Sequence, residues 1–156
     1  MKILLPAVAV ASALVAPTFA EARPVTFETK LKNYGGNGAY VVLYVTDAAG
    51  KYRGTLWMAG GRSRYYRHLS DWQRASGGAP AEIDGITGAS VGSGKTLKIS
   101  LDLADAMIDA GYQVHVDTAV EDGMENPSEI VAPLATSSSG EPLSGRGYVK
   151  SFTVSF

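Results

Sequence analysis

Cysteine is absent from the 156 residues of this chain, so no disulfide bridge can stabilise its fold. The same absence excludes thiolate zinc sites, iron–sulfur clusters and haem attached through cysteine. Histidine is scarce as well, because His68 and His115 are the only two in the sequence. A metal site would need both to converge with a carboxylate, and their spacing does not predict this. We interpret each histidine as a solvent-facing or edge-packed side chain.

A surplus of either charge is also missing, since 14 basic and 15 acidic residues give a formal net charge of −1. This balance gives no reason to expect nucleic acid or an anionic membrane surface as a partner. After residue 20 the sequence has no apolar run long enough to cross a bilayer. We therefore expect a protein that is not embedded in a membrane.

The beginning of the chain differs in character from the rest. Lys2 precedes an almost unbroken apolar run over residues 3–16, and small residues follow that run. This pattern is typical of a secretory signal peptide, and the apolar run is too short for a membrane span. We predict that residues 1–20 are a signal peptide and that residues 21–156 form one exported domain.

The remaining chain is rich in short stretches that predict β-strands. The period-2 alternation of half-buried strands occurs in 25–31, 96–103, 112–120 and 148–156. The continuous apolar run 40–45 predicts a strand buried on both faces, and 52–58 should pair back with it as a hairpin. A further strand is predicted over 128–134. This spacing of short strands indicates an all-β fold, an immunoglobulin-like β-sandwich with one short inserted helix.

The inserted helix is predicted over 64–75, behind Ser63 as its N-cap. Tyr65, Leu69 and Trp72 are spaced to share one face, and we expect the helix to lie across one end of the sandwich. The same region contains a cluster of basic and aromatic residues: Arg62, Arg64, Tyr65, Tyr66, Arg67, Trp72 and Arg74. Such a cluster could hold a planar anion by stacking and bidentate hydrogen bonds. The alternative is that the rings cover the sandwich while the arginines are solvated.

A long loop over 79–95 contains the most unusual stretch of the chain, Asp84-Gly85-Ile86-Thr87-Gly88-Ala89-Ser90, hereafter the 84–90 loop. Its glycines leave the backbone open to a closely approaching partner, and Thr87 and Ser90 offer hydroxyls. The stretch 92–96 resembles the end of a phosphate-binding loop, but its glycine spacing is wrong and a strand follows it, so we discard that interpretation. A serine hydrolase is disfavoured because the chain has no Gly-x-Ser-x-Gly elbow.

A family resemblance rests on two neighbouring motifs. The Arg64-Tyr65…Leu69…Trp72 pattern, followed by the Asp-Gly-x-Thr-Gly-Ala-Ser sequence of the 84–90 loop, resembles the bacterial family of predicted periplasmic proteins called domain of unknown function 2271. The resemblance covers nearly all of the chain after the predicted signal peptide. It implies a periplasmic sandwich domain associated with membrane PepSY-type oxidoreductases and iron uptake, without an assigned chemistry.

The 84–90 loop is also similar to the acceptor signature for covalent flavinylation: Asp, two variable residues, Ser or Thr, Gly, Ala and a modified Thr. In proteins with that signature an exported FMN transferase esterifies the last hydroxyl with the phosphate of FMN, using FAD as donor. The resemblance implies that Ser90 is the acceptor, a departure from the usual Thr. Access would come from Gly88 and Ala89. Asp84 and Thr87 would be recognition positions. The alternative is an ordinary tight turn whose hydroxyls cap backbone groups.

These resemblances lead to one predicted function and one alternative. The prediction is a periplasmic electron carrier with FMN covalently attached at Ser90, working with a membrane PepSY-type oxidoreductase in iron reduction or uptake. The alternative is a cofactor-free binding or assembly module that docks a partner through its loops or an edge strand. In both, the chain acts as a carrier or binding module rather than as an enzyme.

Overall fold

The computed structural model describes residues 21–156, and the predicted signal peptide lies outside the described residues. Within that range the regular elements are strands β1 (Ala22–Leu31), β2 (Ala39–Thr46) and β3 (Tyr52–Ala59), helix α1 (Ser70–Ser76), and strands β4 (Thr87–Gly88), β5 (Thr96–Ala104), β6 (Gln113–Val120), β7 (Glu125–Pro133) and β8 (Val149–Ser155). Short 3₁₀ segments lie between some of them, including one at Ser63–His68 directly before α1.

The strands form two sheets, which confirms a mostly β fold with short helices. One sheet has three strands in the order β5-β1-β8, and the other has five in the order β4-β3-β2-β6-β7. Neighbouring strands are antiparallel except for the short β4, which runs parallel to β3. The inner core fills the space between the two sheets with large buried side chains such as Phe27, Leu43, Val116 and Phe152.

Strand β2 confirms the prediction of a strand buried on both faces. All of its residues are buried. Val41 and Leu43 point into the inner core, whereas Tyr40, Val42 and Tyr44 point to the opposite, outer face of the five-stranded sheet. That outer face needs its own cover, because apolar side chains gain roughly 25 cal/mol for each Å² removed from water. The helical segment 63–76 supplies this cover.

The helical segment differs from the predicted helix in two ways. A 3₁₀ segment and α1 replace one continuous helix, and they cover the outer face of the sheet rather than one end of the sandwich. Tyr66, Leu69 and Trp72 are the buried side chains of the segment. Their spacing of three residues matches the three-residue turn of a 3₁₀ helix, so Tyr66 rather than Tyr65 joins the buried row.

Two side-chain contacts fasten α1 to the sheet. The carboxylate of Asp117, on β6, accepts hydrogen bonds from the backbone N–H groups of Trp72 at 2.8 Å and Ser128 at 2.7 Å. The indole N–H of Trp72 donates to the Thr55 hydroxyl at 2.8 Å. Asp117 is fully buried, and this burial raises its pKa above the ordinary value. The first turn of α1 therefore depends on a carboxylate from the sheet.

Strand β7 begins earlier than the predicted start at residue 128. It contains Pro127, which has no N–H for the ladder, and such a residue is tolerated at an edge strand or a bulge. Both conditions hold here, because β7 is the edge of the five-stranded sheet and its pairing with β6 shifts register between Val116 and Thr118. Ser128 has a φ of +41° in the same bulge.

Candidate functional site

The 84–90 loop is held along the edge of the five-stranded sheet by main-chain hydrogen bonds. Met58 N–H donates to the Ile86 carbonyl at 2.9 Å, and Gly60 N–H donates to the Gly88 carbonyl at 2.8 Å. Just beyond the loop, Val91 and Ala39 exchange a pair of hydrogen bonds at 2.7 and 2.9 Å. The segment carrying the predicted acceptor is therefore fixed on both sides of Ser90.

Ser90 is exposed and lies on the outer face of the sheet. Its neighbour Val91 is buried in the inner core together with Ala39, and side chains alternate along an extended chain. The Ser90 side chain therefore points away from the inner core, to the side where Tyr40 lies. A Cβ placed on Gly38 would lie 2.7 Å from the Ser90 hydroxyl oxygen, so the Gly38 backbone lies close to Ser90 and a larger residue at position 38 would clash with that oxygen.

The other hydroxyl of the loop is already engaged. Thr87 is exposed, and its hydroxyl donates to the carbonyl of Ile83 at 2.9 Å, which closes the turn locally. Asp84 is exposed at the end of a 3₁₀ segment, and Gly85 after it has a φ of +74°. Ala89 is exposed beside Ser90. The motif residues thus share one turn, and Ser90 stands at its far end.

Gly88 has a packing role of its own. A Cβ at this position would lie 2.8 Å from a ring carbon of Trp57, so the indole of Trp57 lies directly against the loop. The indole N–H of Trp57 is buried and has no hydrogen-bond partner among residues 21–156. The flat ring of Trp57 supports β4, and only glycine lets the chain approach it this closely.

We predict that Gly88→Ala lowers the free energy of unfolding by about 1–3 kcal/mol, because the added methyl group overpacks the contact with Trp57. Urea denaturation followed by circular dichroism measures the change. Gly61→Ala is the matched control, because a Cβ there meets open space, and we expect it to stay within about 0.5 kcal/mol of the unmodified protein. Equal effects of the two substitutions would contradict the packing role of Gly88.

A cavity of about 330 Å³ opens beside Tyr65 on the outer face. We call it the Tyr65 cavity. It is lined by residues of β2, of the 3₁₀ segment and of the region around the turn between β6 and β7: Tyr40, Tyr65, Arg67, His68, Ala119, Val120, Glu121, Asp122, Gly123 and Glu125. Glu121 accepts a hydrogen bond from the Tyr65 hydroxyl, and Glu125 pairs with Nδ1 of His68. These two contacts join the 3₁₀ segment to the turn after β6 and to the first residue of β7.

The predicted basic and aromatic cluster is divided between the cavity and the surface. The Arg64 guanidinium lies 4.8 Å from the centroid of the Tyr65 ring, which is a cation–π contact. Arg67 is exposed at the cavity rim, and Arg74 forms an ion pair with Asp71 at 2.8 Å. Trp72 is buried under the helix. Only part of the cluster therefore faces a space that could take a planar group.

Sequence reasoning missed a second polar cluster, which joins α1, β6 and β7. The Ser128 hydroxyl donates to the Asp71 carboxylate at 2.7 Å and lies 3.4 Å from Nδ1 of His115. Nε2 of His115 lies 2.9 Å from the Thr46 hydroxyl, and its ring stacks on Tyr44 with centroids 5.0 Å apart. Asp71 contacts the serine and not the histidine, so this is not the serine–base–orienter arrangement of a hydrolase. It fastens the helix to the sheet.

Burial lowers the pKa of His115 below its ordinary value of about 6.5. The unfolded chain then binds more protons than the folded one between the two pKa values, so stability rises with pH across that window and is lost as pH falls below about 6.5. Burial of Asp117 works in the opposite sense, since its raised pKa weakens the fold as that carboxyl ionises.

We predict that His115→Gln reduces the stability difference between pH 5 and pH 7, measured by urea denaturation at both. An unchanged difference would contradict this role of His115.

The chain belongs to a family described as "Predicted periplasmic protein (DUF2271)", whose model matches residues 22–151. The protein is therefore periplasmic, as the family resemblance implied. No curated protein and no solved structure matches the chain. Among residues 21–156, no helix is long and apolar enough to cross a membrane. The same residues contain no group of three or more histidines and carboxylates suited to hold a metal ion.

Proposed function

We propose that this family member is a periplasmic electron carrier with FMN esterified to Ser90. The single observation that supports it most is the exposed hydroxyl of Ser90 at the end of a fixed, glycine-bearing loop. The Gly38 backbone lies close to one side of that oxygen, and a side chain at position 38 would crowd it. A phosphate would therefore approach from the solvent side, where Ser90 is exposed.

The attachment is a phosphoryl transfer with a balanced outcome. The Ser90 hydroxyl oxygen forms a bond to the phosphorus on the riboflavin side of FAD, the pyrophosphate bond breaks, and AMP leaves. The hydroxyl proton passes to a base of the FMN transferase. Such a transfer needs an in-line approach to an exposed nucleophile, and the transferase supplies charge neutralisation. This chain contributes the hydroxyl and the open geometry around it.

The contrast with Thr87 supports Ser90 as the acceptor. Thr87 donates its hydroxyl to a carbonyl within its own turn, and attack by that oxygen would break this bond. It is also flanked by Gly88, whose backbone is held against β3 and Trp57. Ser90 follows the last of these contacts. A transferase reaching the edge of the sheet would therefore meet Ser90 in the less hindered position.

Bound FMN would supply reversible one- and two-electron redox chemistry. The electron donor in this proposal is a PepSY-type membrane oxidoreductase, and the acceptor is ferric iron, each Fe³⁺ taking one electron to become Fe²⁺. The position of Ser90 on the surface suits this role, because both partners must approach the carrier in turn. The residues of this chain would orient the group and control how much of it meets solvent.

The test is to purify the protein from a host that also exports an FMN transferase, and to record its intact mass and visible spectrum after denaturation. We expect a yellow protein whose mass includes one FMN ester. A colourless, unmodified protein would contradict the proposal and favour the alternative, a cofactor-free binding or assembly module.

We further propose that the two sheets are a variant of the immunoglobulin-like arrangement. The order β3-β2-β6-β7 corresponds to the order of strands C′, C, F and G in variable-type domains, and β5-β1 corresponds to E and B. In this correspondence the C-terminal strand β8 occupies the position of the first strand, A. An experimental structure with a different strand order would contradict it.

A further inference from the structure

We propose that the Tyr65 cavity binds the flavin ring of the FMN attached to Ser90. This inference rests on the proposed function, and it adds the residues that hold the ring. It assigns a role to Tyr65, Arg67 and His68 that the loop motif does not give.

The pairing of the strands brings the acceptor and the cavity to the same corner of the sheet. Ala39 pairs with Val91 on one side and with Val120 on the other. Neighbouring strands lie about 4.8 Å apart, so the loop that carries Ser90 is roughly one strand spacing from β2 and two from the end of β6. Tyr40 and Val120 both line the cavity. The ribityl phosphate chain of FMN is long enough to reach from the Ser90 oxygen across β2.

The acceptor and the cavity also lie on the same face. Ser90 points to the outer face, where Tyr40 belongs to the buried cluster under the helical segment. The Tyr40 ring extends over Gly60, where a Cβ would lie only 2.1 Å from it, and Gly60 N–H in turn bonds to the Gly88 carbonyl. A continuous path of contacts therefore runs from the 84–90 loop to the wall of the cavity, without passing through the core between the sheets.

The cavity combines an aromatic and apolar wall with a charged rim that contains Arg67 and the carboxylates Glu121, Asp122 and Glu125. At about 330 Å³ it falls at the lower end of the range of about 300–1,000 Å³ typical of small-molecule sites. The rings of Tyr40 and Tyr65 lie 5.4 Å apart at 60° to each other, which gives an aromatic wall, and Ala119 contributes an apolar surface. Arg67 at the rim can donate to the carbonyl oxygens of the pyrimidine edge of a flavin.

The walls of the cavity are held in place before any ligand arrives. Glu121 fixes the Tyr65 hydroxyl, Glu125 fixes His68, and the Arg64 guanidinium lies over the Tyr65 ring. These contacts reduce the side-chain entropy that a ligand would otherwise have to restrict on binding. The carboxylates are used for positioning, and within residues 21–156 they form no metal-binding group with His68.

The experiment uses the flavinylated protein and measures flavin fluorescence, because a phenol ring next to a flavin quenches its emission by electron transfer. We expect the native protein to emit less than the same protein in denaturant, and Tyr65→Ala to lose part of this quenching, because Tyr40 remains in the cavity wall. Tyr112→Ala is the matched control. Tyr112 lies directly before the first residue of β6, at the end of that strand away from the cavity, so this substitution should leave the quenching unchanged. Near-ultraviolet circular dichroism verifies that both variants are folded.

A second variant provides a readout that does not depend on the packing of Tyr65. Arg67 is exposed, so Arg67→Gln should fold normally. A cation near the ring favours its more negative, reduced form, so removing this charge should shift the flavin midpoint potential to a more negative value.

The possible failures are distinguishable. If the protein without substitutions has an intact mass that lacks FMN, both the carrier proposal and the proposed flavin site in the Tyr65 cavity are overturned. A second outcome is a flavinylated protein whose fluorescence does not respond to Tyr65→Ala and whose potential does not respond to Arg67→Gln. This outcome would overturn only the flavin site in the Tyr65 cavity, and Ser90 would remain the acceptor.

Discussion

We expect Ser90→Ala to abolish the proposed covalent flavin while leaving the fold intact. The substitution removes the only oxygen that can form the phosphoester at this position, so we expect complete loss of the FMN mass and of protein-linked flavin absorbance. Ser90 is exposed, and the free energy of unfolding should change by no more than about 0.5 kcal/mol. Intact mass spectrometry and urea denaturation on the same preparation separate loss of the acceptor from loss of structure.

Two control variants make this result specific. Ser90→Thr keeps a hydroxyl and should still be flavinylated, since the known signature ends in Thr. Thr87→Ala removes a hydroxyl bonded to Ile83 at a recognition position, so it should slow the attachment while the adduct that does form stays on Ser90. If Thr87→Ala lost the flavin while Ser90→Ala kept it, the acceptor would be Thr87 and the assignment of Ser90 would be wrong.

Trp72→Ala should have the largest effect on stability, a loss of about 3–5 kcal/mol in the free energy of unfolding. Trp72 is only 1% exposed and packs edge-on against Tyr66 with ring centroids 6.1 Å apart. Truncation leaves a large void between α1 and the outer face of the sheet and removes the hydrogen bond to Thr55. Urea denaturation monitored by far-ultraviolet circular dichroism measures the loss.

Trp72→Phe is the control for the hydrogen bond. It keeps most of the aromatic volume, and Thr55 still has the Tyr52 hydroxyl as a partner, so we expect a smaller loss of about 1–2 kcal/mol. A Trp72→Ala protein as stable as the unmodified one would show that the helical segment does not depend on this side chain. Because the same segment forms one wall of the Tyr65 cavity, its loosening should also disturb that site.

The strands were predictable because the order of apolar and polar residues along each of them indicates where it is buried. The unbroken apolar run of β2 specifies burial on both faces, and the structure agrees. The alternation in β6 predicted a half-buried strand, but residues 116–119 are all buried, because the helical segment also covers the outer face of the sheet. The helical segment was harder, since Tyr65 and Tyr66 are adjacent and a change from 3.6 to 3.0 residues per turn decides which is buried. The bulge at Pro127 depends on β7 being an edge, which the sequence does not state.

The candidate site was only half predictable. The 84–90 loop is a continuous motif, and its residues lie together because they are neighbours in the chain. The Tyr65 cavity is different, because Glu121 is 56 residues from Tyr65 and Glu125 is 57 from His68. No local pattern links these side chains, and only the pairing of β2 with β6 brings them to one corner. The same holds for Asp117 beneath α1.

The most direct measurement is tandem mass spectrometry of the tryptic peptide 75–95, which contains both hydroxyls of the 84–90 loop and also Ser76 and Ser93. The peptide should come from protein made together with an exported FMN transferase. We predict a peptide carrying one FMN ester, with fragment ions that locate it on Ser90. A peptide without added mass, or one modified at Ser76, Thr87 or Ser93, would contradict Ser90 as the point of attachment.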